Sequence, residues 1–287
     1  MAKKLLFHLD TDPMPSVFDT VVAYDGGADH VHGYGGVNVE NVTPLVAGTI
    51  FTRGDKKNSA IFVSGSNMQA GEDLFEAVKR QFFGDFRVSI MIDSNGSNTT
   101  AAAMVALLAK EIPLKGKRAV ILAGTGPVGQ RAGVMMAQEG AEVILTSRKV
   151  DRAQAACYAM NKAFGVNMTA AAAADKASTA DILEGTHIVL ATGAAGIELI
   201  SEDMWKNHPA IEALSDANAT PPLGIQGVKA KDKGENRNGK LCWGALGVGN
   251  LKLNLHRRCI GKLFEANNQV FDAPQIYALA KEMIGNV

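Results

Sequence analysis

The chain has 287 residues, with Lys+Arg and Asp+Glu balanced at 29 each and a formal net charge of zero. Hydrophobic residues make up 47% and charged residues 20%, a globular composition in a chain long enough for two domains. Neutrality excludes broad electrostatic capture of nucleic acid or anionic lipid, and no apolar stretch reaches the ~18 residues of a membrane span. Cys157, Cys242 and Cys259 are odd in number and scattered, which argues against a disulfide framework or a metal site. The N-terminal run is too short for a secretion signal and reads as a first strand, so a cytoplasmic protein is expected.

In chain order, residues 4–9 read as a strand and 16–24 as a helix with Val17, Val21 and Tyr24 on one face. Residues 60–63 form a second strand. Residues 72–83 form an amphipathic helix, with Leu74, Phe75, Val78 and Phe82 at helical spacing. A third strand, 88–92, ends at Asp93, and an Ala-rich helix follows over 98–109. This alternation implies a mainly parallel sheet with helices on its faces. Beyond a loop at 112–117 come a strand (118–123), a helix (128–139), a strand (141–146) and a helix (151–164). Residues 170–174 are an alanine run, expected to join a surface helix or loop with 175–180. Strands are expected at 187–192 and 211–216, a solvated charged hairpin or loop at 229–240, and helices at 251–267 and 273–284. The fold class is therefore α/β in two domains. The first is expected to span 1–105 and to be completed by 270–287; the second, of Rossmann type, spans 106–269.

The most specific local feature is Gly124-Thr125-Gly126-Pro127-Val128-Gly129, a G-x-G-x-x-G run with a strand before it and a helix after it. Gly124 permits the tight turn, Gly126 lets a pyrophosphate approach the backbone, and Gly129 lets the helix pack close to the strand. Pro127 lies early in the helix, where its missing N–H costs nothing. The free N–H groups and the helix dipole then face an anion. The next strand ends in Ser147-Arg148-Lys149. An NAD-selective unit carries Asp or Glu there, ~20 residues after the motif, for the ribose 2′-hydroxyl. A hydroxyl and two cations suit a 2′-phosphate instead, so NADP is the expected cofactor. Asp151 is expected to cap the next helix. Thr192-Gly193-Ala194 follows a later strand and is expected to line the nicotinamide end. The glycines 244, 247 and 249 either do the same or serve loop geometry.

On the substrate side, Asp93, Asn95, Ser97, Asn98 and Thr99 belong to a run of eight small polar residues between a strand and a helix. One of them caps the helix; the rest exceed that need and suit a polar heterocycle at a cleft between domains. The loop 10–16 reads as a Pro-stiffened turn with an N-cap, Asp19 lies just beyond it, and residues 24–29 read as a glycine-terminated helix end. Lys252 adjoins the glycine-rich segment, one helical turn before His256.

Several segments together carry a family resemblance. They are Leu-Leu-Phe-His-Leu-Asp-Thr-Asp12, Pro-Ser-Val-Phe-Asp19, Tyr-Asp-Gly-Gly-Ala-Asp-His30, Asp-Ser-Asn-Gly-Ser-Asn-Thr-Thr100, Ala-Gly-Thr-Gly-Pro-Val-Gly129 and Leu-His-Arg-Arg-Cys-Ile260. Over nearly its full length the chain resembles the NADP-dependent methylene-tetrahydromethanopterin/methylene-tetrahydrofolate dehydrogenases of methylotrophic bacteria. The resemblance implies a one-carbon oxidoreductase with a pterin-binding first domain and an NADP-binding second domain. It implies Asp19 and Lys252 as catalytic candidates, the Asp93–Thr99 residues above as pterin contacts, and a reduced pterin as partner in a homo-oligomer. Two other readings compete: a shikimate-dehydrogenase-like enzyme, which needs a Lys–Asp pair in the first domain, and a non-catalytic NADP sensor.

Overall fold

The computed structural model describes residues 2–285. The chain divides into two compact units: the residues through Thr99 with Leu253–Leu279, and Thr100–Lys252 with the residues from Ala280 on. The division expected at residues 105 and 270 is corrected by this. The first crossing falls inside a helix six residues earlier than expected. Residues 253–269, expected in the second domain, pack with the first, because their helix covers one face of the first sheet.

The first unit begins β1 (Leu5–Asp10), α1 (Val17–Asp25), β2 (His30–Tyr34), α2 (Thr43–Phe51), β3 (Ser59–Ser64), α3 (Met68–Lys79), β4 (Ser89–Ile92) and α4 (Ser97–Glu111), the last running into the second unit. The second unit continues β5 (Arg118–Leu122), α5 (Pro127–Gln138), β6 (Glu142–Ser147), α6 (Val150–Phe164), β7 (Thr169–Ala172), α7 (Lys176–Leu183), β8 (Ile188–Ala191), β9 (Ala213–Asp216), β10 (Lys233–Arg237) and β11 (Lys240–Trp243). Then α8 (Ala245–Leu263) passes back, followed by β12 (Val270–Phe271) and α9 (Ala273–Ile284).

The first sheet has the order β12-β4-β3-β1-β2, all parallel. Side chains alternate between its faces. Leu9, Ile61, Val63, Ile90 and Ile92 form one core with Val46 and Ile50 of α2 and Leu74, Phe75 and Val78 of α3. Each such buried side chain contributes about 1.5–3 kcal/mol. Strand neighbours on the other face are polar as well as apolar: His8, Asp10, Phe62, Ser64, Met91 and Asp93 are all buried there.

The second sheet has the order β10-β11-β9-β8-β5-β6-β7, parallel except for the terminal β10–β11 hairpin. Read from β7, its six parallel strands follow the 3-2-1-4-5-6 succession of doubly wound dinucleotide-binding sheets, with the antiparallel β10 added beyond β11. Val120, Leu122, Val189, Leu214 and the buried Trp205 form its core on one side.

Three elements escape the periodicity argument. Helix α2 has a mostly apolar sequence, Thr-Pro-Leu-Val-Ala-Gly-Thr-Ile-Phe, without a polar stripe. Strand β2 is an edge strand with mostly exposed, polar-looking residues. Strand β12 is two residues long. The alanine run is not a surface helix or loop: residues 169–172 form β7, paired in parallel with β6, and the helix α7 starts only after Asp175 caps it. Helix α3 starts at Met68, not 72, because the Asn67 side chain accepts the Ala70 N–H and sets the N-cap. On α1, Val17, Val21 and Tyr24 do share a face, but it is the exposed one; Val22 and Ala23 are buried.

Candidate functional site

The dinucleotide motif folds as the strand–turn–helix its glycines require. A Cβ on Gly124 would lie 2.6 Å from Leu145 Cδ2 and 2.9 Å from the Ile121 carbonyl. A Cβ on Gly129 would lie 2.6 Å from Gly124 Cα and from Thr192 Oγ1. Both glycines are therefore demanded by the protein's own packing. Gly126 differs: a Cβ there meets nothing within 4 Å. It is the N-cap of α5, with no side-chain cap on the helix and Pro127 in the first turn. First-turn N–H groups without a side-chain acceptor, beside open space, are what a pyrophosphate needs.

A cavity of about 780 Å³ lies at the carboxyl ends of β5, β6 and β8. Thr125, Ser147, Arg148, Lys149, Gly193 and Ala194 line it, six of the residues expected to hold the cofactor. Of the other residues expected at the cofactor, Gly124, Gly126, Pro127, Val128, Gly129 and Thr192 do not line it. The Thr192 hydroxyl reaches the Leu122 carbonyl at 3.3 Å. Arg148 and Lys149 are exposed at the mouth. Among the cavity residues already named no carboxylate faces them.

Sequence reasoning missed Arg152, Ala123 and Thr146. Arg152 lines the same cavity and is exposed; the signal available was a third cation in the first turn of the helix that follows Arg148 and Lys149. Ala123 has φ 50°, a left-handed conformation uncommon for a side-chain-bearing residue. Thr146 holds that turn, its hydroxyl accepting the Ala123 N–H at 3.2 Å and its carbonyl accepting the Gly124 N–H at 2.9 Å. Asp151 does not cap α6. Lys149 is the N-cap residue, without a side-chain cap, and Asp151 lies in the first turn, where its charge complements the helix dipole. Gly244 and Gly247 are explained by close approach of the backbone at 229–232: their Cβ atoms would fall 2.0 Å from the Lys229 carbonyl oxygen and 1.8 Å from that of Asp232.

In the first unit, the loop after β4 turns its side chains inward. Asp93 Oδ1 accepts the N–H groups of Asn98 (2.9 Å) and Thr99 (3.1 Å), and Oδ2 accepts the Thr99 hydroxyl at 2.5 Å. Ser97 donates to the Ser94 carbonyl at 2.7 Å, and Asn98 donates to the Ile92 carbonyl at 2.9 Å. Asp93, Ser97, Asn98 and Thr99 are at most 1% exposed, so these groups build the N-terminus of α4. Asn95 alone of the five expected substrate contacts is exposed, in a left-handed conformation with φ 55°. Asp93 also lies beside His256 of α8, 3.8 Å from its Nδ1, both fully buried. Asp19 lies in the first turn of α1, half-buried, its N–H donating to the Ser16 cap at 3.2 Å. Lys252 is half-buried on the stretch of α8 that belongs to the second unit.

The sheet order, the glycine turn and the cationic cavity define the class: an α/β oxidoreductase with a dinucleotide-binding unit. A family model described as methylene-tetrahydromethanopterin dehydrogenase, N-terminal, matches residues 17–95. The chain is 59% identical over 287 residues to "Bifunctional protein MdtA" of Methylorubrum extorquens, covering 99% of this chain and 100% of that protein. It is 31% identical over 297 aligned positions to that organism's NAD(P)-dependent methylenetetrahydromethanopterin dehydrogenase, at 99% and 100% coverage. The chain belongs to the methylene-tetrahydromethanopterin dehydrogenase family and is an enzyme of that family.

Solved structures extend the fold comparison. Shikimate 5-dehydrogenase from Listeria monocytogenes, in complex with shikimate and NAD, superposes with a TM-score of 0.56 at 12% identity over 98% of this chain and 96% of that one. Quinate dehydrogenase from Corynebacterium glutamicum, in complex with NAD, gives 0.54 at 11% identity over 96% and 98%. At such identities the likeness is one of fold.

Proposed function

We propose that the protein transfers a hydride reversibly from the methylene group of methylene-tetrahydromethanopterin, methylene-tetrahydrofolate or both to NADP, giving the methenyl form and NADPH. The observation that carries the cofactor choice is the tip of β6 and start of α6. Ser147, Arg148, Lys149 and Arg152 all line one cavity, at the place where an NAD-selective unit has a carboxylate. The second unit is the NADP-binding one and the first the pterin-binding one.

The cofactor supplies the hydride acceptor, its nicotinamide ring. The chain's residues supply placement. The first turn of α5 and Gly126 would hold the pyrophosphate, the four polar and cationic residues the 2′-phosphate, and Gly193 and Ala194 would border the ring. The methylene carbon lies between two nitrogens, whose lone pairs stabilise the cation left when hydride departs. No strong acid or base is needed, and the chief demand is near-attack contact at ~3–3.5 Å. Asp19 is assigned to stabilising the developing cation, Lys252 is the second catalytic candidate, and the Asp93–Thr99 loop is assigned to the pterin edge through its exposed residue Asn95. A homo-oligomer working in the cytoplasm completes this reading; light scattering of the purified protein tests the assembly.

The decisive experiment is an NADPH-absorbance assay with both methylene-pterins and both nicotinamide coenzymes, on wild type and Arg148→Asp. The wild type is expected to reduce NADP in preference to NAD. Arg148→Asp is expected to lose roughly tenfold to a hundredfold of that preference, the scale of one charge-assisted contact. Unchanged discrimination would reject the proposed cofactor orientation. Absence of turnover with either pterin, alongside intact NADP binding, would favour the sensor reading.

A further inference from the structure

Three polar side chains lie fully buried on the first sheet, at the ends of β1 and β3: His8 (0% exposed), Asp10 (1%) and Ser64 (1%). Asp10 and Ser64 are register partners, as are His8 and Phe62, so all four side chains share one face. His8 Nε2 lies 2.6 Å from Ser64 Oγ, and the Ser64 hydroxyl donates to Asp10 Oδ2 at 2.9 Å. A hydroxyl has one proton. Ser64 gives it to Asp10, so the 2.6 Å contact requires His8 to be the donor, and the imidazole is the Nε2–H tautomer. Its Nδ1 is then a bare lone pair, and that atom has no hydrogen-bond partner among the described residues. An unpaired acceptor is the cheaper orphan; an unpaired buried N–H is rarer. Phe62 stacks on the His8 ring at 5.1 Å and meets His256 edge-on at 5.2 Å, which fixes the ring plane. Burial pushes the His8 imidazole below its ordinary value, consistent with the neutral form.

The chain of bonds continues outward. Asp10 Oδ1 accepts the Asp12 N–H at 2.8 Å, and Oδ2 accepts the Ser16 N–H at 3.0 Å. Ser16 is the N-cap of α1, and its hydroxyl accepts the Asp19 N–H. An unbroken hydrogen-bonded series therefore runs His8–Ser64–Asp10–Ser16–Asp19, from the sheet interior to the first turn of α1.

We propose that His8, Ser64 and Asp10 are positioning residues that set the entry of α1 and thereby the placement of Asp19 toward the pterin. This rests on the assignment of Asp19 to the pterin side made above. Nothing in helix capping requires a buried imidazole three links behind the cap; a hydroxyl and a carboxylate would suffice.

The test compares Ser64→Ala, His8→Leu and His8→Gln in the full-length protein. The Gln amide can place a donor where Nε2–H lies; Leu cannot. Ser64→Ala and His8→Leu are expected to lower kcat for methylene-pterin oxidation about tenfold to a hundredfold, as for a displaced reacting group. The Kd for NADP is expected to stay within about twofold, since that site lies in the other unit. His8→Gln is expected to recover most of the kcat lost in His8→Leu. Long-range 1H–15N NMR of wild type is expected to show His8 protonated at Nε2 and bare at Nδ1. Unchanged kcat in Ser64→Ala and His8→Leu, equal loss of kcat and NADP affinity, no recovery in His8→Gln, or an Nδ1–H tautomer would each overturn the proposal. Asp19→Asn separates the two readings. If it leaves turnover intact, the role of Asp19 falls, while the NMR result still tests the tautomer.

Discussion

Gly126 and Gly129, three residues apart, serve different masters. Gly129 answers to the fold, since Gly124 and Thr192 leave its Cβ no room. At Gly126 the fold makes no such demand, since open space surrounds the position; the pyrophosphate proposed above is what would use that space. Gly129→Ala is therefore expected to cost ~1–3 kcal/mol of stability through overpacking, read as a lowered Tm. Gly126→Ala is expected to keep the Tm of the ligand-free protein and weaken NADP binding, read by cofactor titration. His8 carries a different residue-scale signature. Burial lowers its pKa from 6.5, and Asp10 on the same strand opposes that shift; Ser64 on β3 and the Asp93–His256 pair face the same layer. The unfolded chain takes up the proton near 6.5 and the native chain only below it. Stability from this group is thus present above pH 6.5 and lost as pH falls below it. A Tm series across that range is expected to show the decline in wild type and a shallower one in His8→Gln.

At the scale of elements, α1 depends on its cap. Ser16 accepts the Asp19 N–H, and the Gly26 N–H closes the other end on the Val22 carbonyl. Ser16→Ala is expected to cost ~1 kcal/mol, and Ser16→Gly only a few tenths; thermal melts of the two variants decide it. The sequence exposes such elements unevenly. The βαβ core around Gly124–Gly129 was readable because apolar strands, a glycine turn and a helical period agree there. The charged stretch 229–240 was readable as a solvated hairpin or loop; it forms β10 and the turn into β11, with Asp232 and Lys240 buried against that expectation. Strand β2 was opaque: His30-Val-His32-Gly-Tyr34 has no apolar alternation, and β1 alone recruits it into the sheet. Residues 170–174 misled because alanine favours helix, while pairing with β6 decides in favour of strand. The polar loop after β4 was readable as special. Its inward turn was not, because the bonds of Asp93 to Asn98 and Thr99 are settled only when β4 and α4 meet.

At the scale of the whole molecule, the first unit is built from two distant stretches of chain. Leu253–Leu279 contribute β12 at the sheet edge and the helix that carries His256, Cys259 and Ile260 onto the unit. A chain ending at Lys252 is therefore expected to leave Phe62 and Asp93 without the His256 that packs against them and to lose the first unit's cooperative melt, seen by circular dichroism and calorimetry. Saturating NADP is expected to raise the Tm of the full-length protein, with ~2.7 kcal/mol of added stability at a hundredfold excess over Kd.

The split first unit also bears on biosynthesis. A ribosome delivers β1 to β4 early but withholds β12 until almost the entire chain has emerged. The seven-stranded sheet is translated in between, on the order of ten seconds at ordinary elongation rates. During that interval the β4 edge has no neighbour, and the N-terminal half waits unfinished while the later half assembles. Completion of the first sheet thus waits on a strand that is made only after every strand of the second sheet.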